Sequence, residues 1–241
     1  MAIAITNLGR GAGNDTTSFN SDSVSPTGDN LVLASVFSRT GISADPNQPT
    51  LSGNGITWVA IATIVYDSTS SSRRRITLFR GMVASPSAGA ITVDFGGQTQ
   101  THAGIIIDQA SGVDTGGTNG SAAIVQSATG EDETATVSTI TITLGAFGDA
   151  ANATYGAFAD GGGAATWTPG SGFTELDEEE VGGSIGGTTE YKLSNDTSVD
   201  ITNSITNQLG GVAIEIKAAV VATDSYSGRG VGRGIGRGIM R

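Results

Sequence analysis

Short runs of alternating apolar and polar residues, closed again and again by glycine-rich turns, restrict this chain to an all-β fold. The runs fall at residues 3–5, 31–37, 57–65, 76–82, 91–95, 103–107, 137–144, 154–159, 173–176, 189–193, 199–202 and 212–216. Turn signals separate them: Gly53-Asn54-Gly55, Pro86 to Gly89, Gly96-Gly97, Gly161-Gly162-Gly163 and Gly182-Gly183. No segment carries the 3.6-residue periodicity of an amphipathic helix. The 37 glycines and the abundance of Thr and Ser fit short strands joined by tight turns. With no cysteine in 241 residues, a disulfide framework, a thiol nucleophile and a Cys-based metal site are all excluded. Stability must then come from packing, and a chain of this length buries roughly 70–75% of its unfolded surface.

The order of strand types occurs twice. Asn54-Gly55-Ile56-Thr57-Trp58 is matched in kind by Ala164-Ala165-Thr166-Trp167, Asp67 by Asp177, and Leu78-Phe79-Arg80 by Glu190-Tyr191-Lys192. Ile91-Thr92-Val93-Asp94 is matched by Ser198-Val199-Asp200-Ile201, and Gly104-Ile105-Ile106-Ile107 by Gly211-Val212-Ala213-Ile214. The spacing is that of a degenerate repeat of about 107–112 residues. One sandwich with a pseudo-twofold arrangement buries more than two small ones. The long connection 111–136 suits a Greek-key crossing between sheets. The reading is an antiparallel β-sandwich of jelly-roll type over 1–221, with pseudo-repeats at about 30–114 and 152–221, followed by an extended Arg/Gly-rich arm at 222–241.

Charge divides the chain the same way. Arg229, Arg233, Arg237 and Arg241 recur every four residues, the first three each between two glycines, against the single acid Asp224. The arm is therefore +3, and the total of −11 leaves −14 on residues 1–221. The arm has too little apolar content for a core of its own and is expected to order on a partner. Extended, it reaches about 65 Å. Its guanidinium groups suit carboxylates or phosphates. An acidic body repels nucleic acid, and the arm lacks the interleaved aromatics of RGG-type binders, so a protein partner is expected rather than nucleic acid. Charges also oppose each other within the repeat. Asp67 is followed by Arg73-Arg74-Arg75, and Asp177 by Glu178-Glu179-Glu180, which reads as two loops able to dock one subunit on the next.

Catalytic constellations are missing from the pattern. His102 is the single histidine, with no partner set for a metal or a nucleophile, and the serine runs lack a nucleophile elbow. The acidic runs 131–133 and 175–180 could supply the two carboxylates of a glycosidase, but such runs are usually solvated. They also lack the Asp-x-Asp-x-Asp-Gly spacing of a calcium loop. The glycine runs are not followed by Lys-Ser/Thr and a helix, so no phosphate cradle is present. No cofactor and no metal are expected. Trp58 and Trp167 fit core packing, or alternatively stacking on sugar rings in a carbohydrate-binding or receptor-binding fibre domain. MAIAITNLGRG has neither a charged n-region nor an apolar h-region, and no stretch reaches membrane-span length, which predicts a chain made in the cytoplasm with no membrane partner.

The succession of an Asn-Gly-x-Thr-Trp strand, a hairpin to an aromatic strand, a Thr-Val strand and a Gly-apolar strand ending in Ala110-Ser111-Gly112-Val113-Asp114 carries a resemblance. Over roughly residues 30–218 the chain resembles Gly/Thr-rich jelly-roll virion proteins of tailed bacteriophages. That resemblance implies a non-enzymatic capsid decoration or cement protein on the outer capsid surface. Its partners would be the major capsid protein and further copies of itself. The resemblance supplies no catalytic residue.

Overall fold

The structure, a computed structural model, describes residues 2–162 and 165–220, with backbone alone at 135 and 136; segment 222–241 lies outside the described residues. Among the described residues all regular structure is antiparallel β apart from one 3-10 turn at Ser121–Ala123. The strands are β1 (Ala4–Thr16), β2 (Ser18–Asn20), β3 (Leu31–Arg39), β4 (Thr50–Ser52), β5 (Val59–Tyr66), β6 (Arg74–Gly81), β7 (Thr92–Asp94), β8 (Gln100–Ser111), β9 (Ile124–Thr143), β10 (Ala153–Asp160), β11 (Trp167–Pro169), β12 (Thr174–Val181), β13 (Ile185–Lys192) and β14 (Ser198–Ile216).

A five-stranded sheet runs β1-β8-β3-β6-β5, and a three-stranded sheet runs β2-β7-β4. The six-stranded sheet runs β11-β14-β10-β13-β12, with β9 also paired to β14. The five- and six-stranded sheets lie face to face, β1 and β8 against β12 and β13 on one side and β5 against β9 and β14 on the other. Phe37, Tyr66, Ile76, Leu78, Ile106, Tyr155 and Ile214 fill the space between them. The other face of the five-stranded sheet packs Val36, Phe79 and Ile105 on Ile91, Val93 and Phe95, below the three-stranded sheet. The other face of the six-stranded sheet packs Phe158 and Ala213 on Ile140, Trp167, Val199 and Ile201. This last layer forms because β9 and β14 bend, their register breaking between Thr202 and Leu209, so that their far ends fold back over the sheet with β11.

The sequence implied one sandwich with one core, whereas the described residues form three apolar layers. Strands at the centre are covered on both faces, which is why β3 and the Ile105-Ile106-Ile107 stretch of β8 read as continuous apolar runs. Two strands are far longer than their apolar signal. In β9, Gln126-Ser127-Ala128-Thr129-Gly130 pairs along β14 in the segment expected to be a crossing loop. In β1, the Gly-rich stretch as far as Thr16 pairs along β8. Neither stretch alternates bulky apolar residues, so hydrogen-bonded pairing alone marks it as strand. The tryptophan match also shifts, since Trp58 precedes β5 while Trp167 opens β11.

Close approach holds the central interface together. A Cβ built at Gly104 or at Gly187 would stand 2.3 Å from the Phe37 ring, so glycine on both sheets lets one phenyl group fill the gap. Two tyrosines add polar ties across the sheets. Tyr155 Oη donates to Asp108 Oδ2 at 2.8 Å, and Tyr66 Oη donates to the Asp160 carbonyl at 2.9 Å. Phe37→Ala is expected to cost about 3–5 kcal/mol in equilibrium denaturation. Ile42→Ala, at a side chain 57% exposed, should stay within about 0.5 kcal/mol.

Candidate functional site

Every Lys and Arg side chain among the described residues is engaged within the chain. Arg10 Nη1 meets Asp177 Oδ1 at 2.8 Å and donates to the Glu178 carbonyl at 2.6 Å, while its Nε meets Glu179 Oε2 at 2.9 Å. Arg39 donates to the Ser184 carbonyl at 3.3 Å and Arg80 to the Asn119 carbonyl at 2.7 Å. Lys192 pairs with Asp196 at 2.7 Å and Lys217 with Asp114 at 2.8 Å.

The two expected charge loops are not a matched pair of loops. Arg73 ends a turn and pairs with Asp45 at 2.6 Å. Arg74 and Arg75 belong to β6. Arg74 is buried, bonded to Asp67 and the Gly161 carbonyl. Arg75 donates to the Pro46 carbonyl at 2.7 Å and to Thr63 Oγ1 at 2.9 Å. Glu178-Glu179-Glu180 lies inside β12, because the chain turns only at Gly182-Gly183, both at φ +61°, before returning as β13. Asp67, by contrast, follows β5. Glu179 is taken up by Arg10 of the same chain, which leaves Glu178 and Glu180 exposed and without a cation among the described residues. Arg229, Arg233, Arg237 and Arg241 fall outside the described residues.

A cleft of about 280 Å³ opens where these elements meet, lined by Arg10, Asp160, Trp167, Glu178, Glu179, Glu180 and Gly186 with Ala165 at its edge. Asp160 is fully buried. Its Oδ1 accepts the Gly186 N–H at 2.7 Å and the Gly162 N–H at 3.2 Å, and its Oδ2 accepts Asn203 Nδ2 at 2.8 Å. Burial raises its pKa, and these donors work against that shift. Trp167 is 8% exposed and packed in the outer core, which leaves little of its ring for stacking on a sugar. Trp58 is half-buried in a different core, its Nε1 without a partner among the described residues. The two tryptophans therefore do not form one platform. A second, shallower cleft of about 420 Å³ includes Glu215, whose carboxylate already accepts from Asn152 at 2.5 Å and Gln126 at 2.6 Å.

His102 sits on β8 opposite Asn14 and Arg39, against the Gly182 turn. Burial and then the Arg39 charge lower its pKa. Among the described residues no cluster of three or more His, Cys, Asp or Glu side chains is arranged to hold a metal ion. The residues of this region that the sequence reading did not single out are Arg10 and Asp160 in the cleft lining, and the buried acid Glu190. Arg10 had a signal in its Gly9-Arg10-Gly11 context, the same Gly-Arg-Gly pattern as the arm. Asp160 and Glu190 gave none, since each is a single acid at the end of an apolar or Thr-rich strand.

Glu190 is fully buried, and only its Oε2 finds a donor, the Gly170 N–H at 3.1 Å. Burial pushes its pKa up to about 8, with Asp200 and Glu175 adding to the rise. Burial likewise pushes Asp108 up to about 6. No family model, curated protein or solved structure matches the chain.

A carboxylate raised in the folded state makes the native protein bind more protons than the unfolded one. Stability should accordingly fall as pH rises from the ordinary Glu value of 4.5 towards about 8. Urea midpoints across this range are expected to drop for the parent protein and to drop less for Glu190→Gln. Equal slopes for the two would contradict the assignment.

Proposed function

We propose that this chain is a non-enzymatic structural virion protein that binds the outer surface of a capsid and staples neighbouring capsomers. The observation that carries this reading is the internal engagement of all eight Lys and Arg side chains among the described residues. An acidic body whose basic groups are already bonded attracts little through those groups. The Arg229, Arg233, Arg237 and Arg241 segment is then the part of the chain with cationic chemistry to offer to acidic groups on an adjacent subunit. The resemblance to Gly/Thr-rich jelly-roll virion proteins points the same way.

The body suits such a role as two copies of one jelly-roll unit placed back to back. Supporting the repeat, β1-β8-β3-β6-β5 with β2-β7-β4 is followed by β9-β14-β10-β13-β12 with β9-β14-β11. Each set resembles the strand order of a jelly roll. On this reading the units span 4–111 and 124–216, and β1 and β9, β8 and β14, β3 and β10 are counterparts.

The mechanism is passive. Binding to the assembled shell and not to its free subunits stabilises the shell by mass action, and repetition over the lattice multiplies weak contacts. Co-sedimentation with undecorated capsids over a salt series tests it. The full chain is expected to bind in a salt-sensitive way, and a form ending at Val221 to lose binding with an unchanged unfolding midpoint. Retained attachment by the shortened form would refute the role of the arm.

A further inference from the structure

The second cleft, of about 420 Å³, plays no part in shell attachment as read above. It is lined by Ile124 and Val125 together with Asp149, Asn152, Glu215 and Lys217. Val125 is 49% exposed, a large aliphatic side chain left open to water. Asp149 Oδ1 accepts the Ala151 N–H at 2.9 Å, and each carboxylate oxygen has capacity for a further donor. Apolar side chains beside a few hydrogen-bond acceptors suit an apolar body that carries one donor, which is the chemistry of a tyrosine ring. The chain brings such a group to the mouth of the cleft. Lys217 is in the lining, the Ala218 N–H donates to Asn152 Oδ1 at 3.0 Å, and the Ala219 N–H donates to the Gly112 carbonyl at 2.9 Å, so the last described residues run along the rim. Val220, where the described chain ends, is 82% exposed. Six residues further on stands Tyr226, the one aromatic residue of segment 222–241. Six residues span up to about 20 Å, and the Thr223-Asp224-Ser225 stretch before the tyrosine consists of turn-forming residues.

We infer that this cleft seats Tyr226 of the same chain, with the ring against Ile124 and Val125 and the phenol O–H donating to the carboxylate of Asp149 or Glu215. The other apolar residues of the Arg-Gly stretch, Val231, Ile235, Ile239 and Met240, lie further along the chain and carry no side-chain donor. A tyrosine from a second copy competes with one tethered a few residues from the rim, at an effective concentration in the millimolar range. Seating Tyr226 fixes the root of the segment on the body. Arg229, Arg233, Arg237 and Arg241 all follow the anchor, so their guanidinium groups stay available. The stretch beyond it still reaches about 50 Å when extended, now from a defined point on the surface.

Nitration of the full chain by tetranitromethane, mapped by mass spectrometry, tests the seat from the side of the tyrosine. Tyr226 is expected to react slowly in the parent protein, at a rate independent of protein concentration. In Val125→Asp, a change at an exposed position that places a carboxylate against the ring, its nitration should be about fivefold or more faster. Hydrogen exchange tests the seat from the side of the cleft. The amides of residues 122–125 and 148–152 are expected to exchange faster in Tyr226→Ala than in the parent, and to the same extent as in a form ending at Val221. Equal nitration of Tyr226 in the parent and in Val125→Asp would overturn the inference, as would equal exchange in the parent and in Tyr226→Ala. Protection of Tyr226 that appears only as protein concentration rises would give the cleft to a second copy and overturn it as well.

Discussion

The packing of the five-stranded sheet on the six-stranded sheet is the contact on which the remaining structure depends. It needs glycine at Gly104 and Gly187 so that Phe37 can fill the gap, and it seats Tyr66 and Tyr155 with their hydroxyls bonded across the sheets. The outer layers follow from it. Once the central faces are buried, each sheet still has an apolar outer face, which the three-stranded sheet covers on one side and the bent ends of β9 and β14 cover on the other. The same stacking places β1 beside β12, and so brings Arg10 to the acidic run. The cleft is a product of sheet stacking and not of a local motif.

Charge is organised on this scaffold by position. Arg74 is bonded to Asp67 and to the Gly161 carbonyl, tying the β5–β6 turn to the end of β10. Exposed pairs such as Arg73 with Asp45 add little to stability, but each removes a cation from contact with a partner. The consequence is an acidic body and, in the sequence, a separate basic segment. Under the proposed function, that separation would favour attachment to acidic surfaces through the segment, with the body held off by repulsion.

Much of this architecture was legible in the residues. The all-β class and most strand centres follow from alternation and turn glycines. The number of layers was not legible, because alternation reports which side of a strand is apolar and not what covers it. β1 and β9 were cut short because small and polar residues pair there without an apolar rhythm. The acidic run looked like a loop since charge runs are usually solvated, but an edge strand tolerates them, and the tight Gly182-Gly183 turn fixes the run in β12. Arg10 was hidden by distance, 167 residues from the aspartate it meets.

The central claim is that the cations which bind an external partner are those of segment 222–241 and not those of the body. Arginine footprinting by phenylglyoxal labelling and mass spectrometry, on free and shell-bound full-length protein, tests it directly. Arg229, Arg233, Arg237 and Arg241 are expected to label readily when free and to be protected when bound, with labelling of Arg10, Arg39, Arg73, Arg74, Arg75 and Arg80 the same in both states. Protection confined to the body arginines would contradict the account.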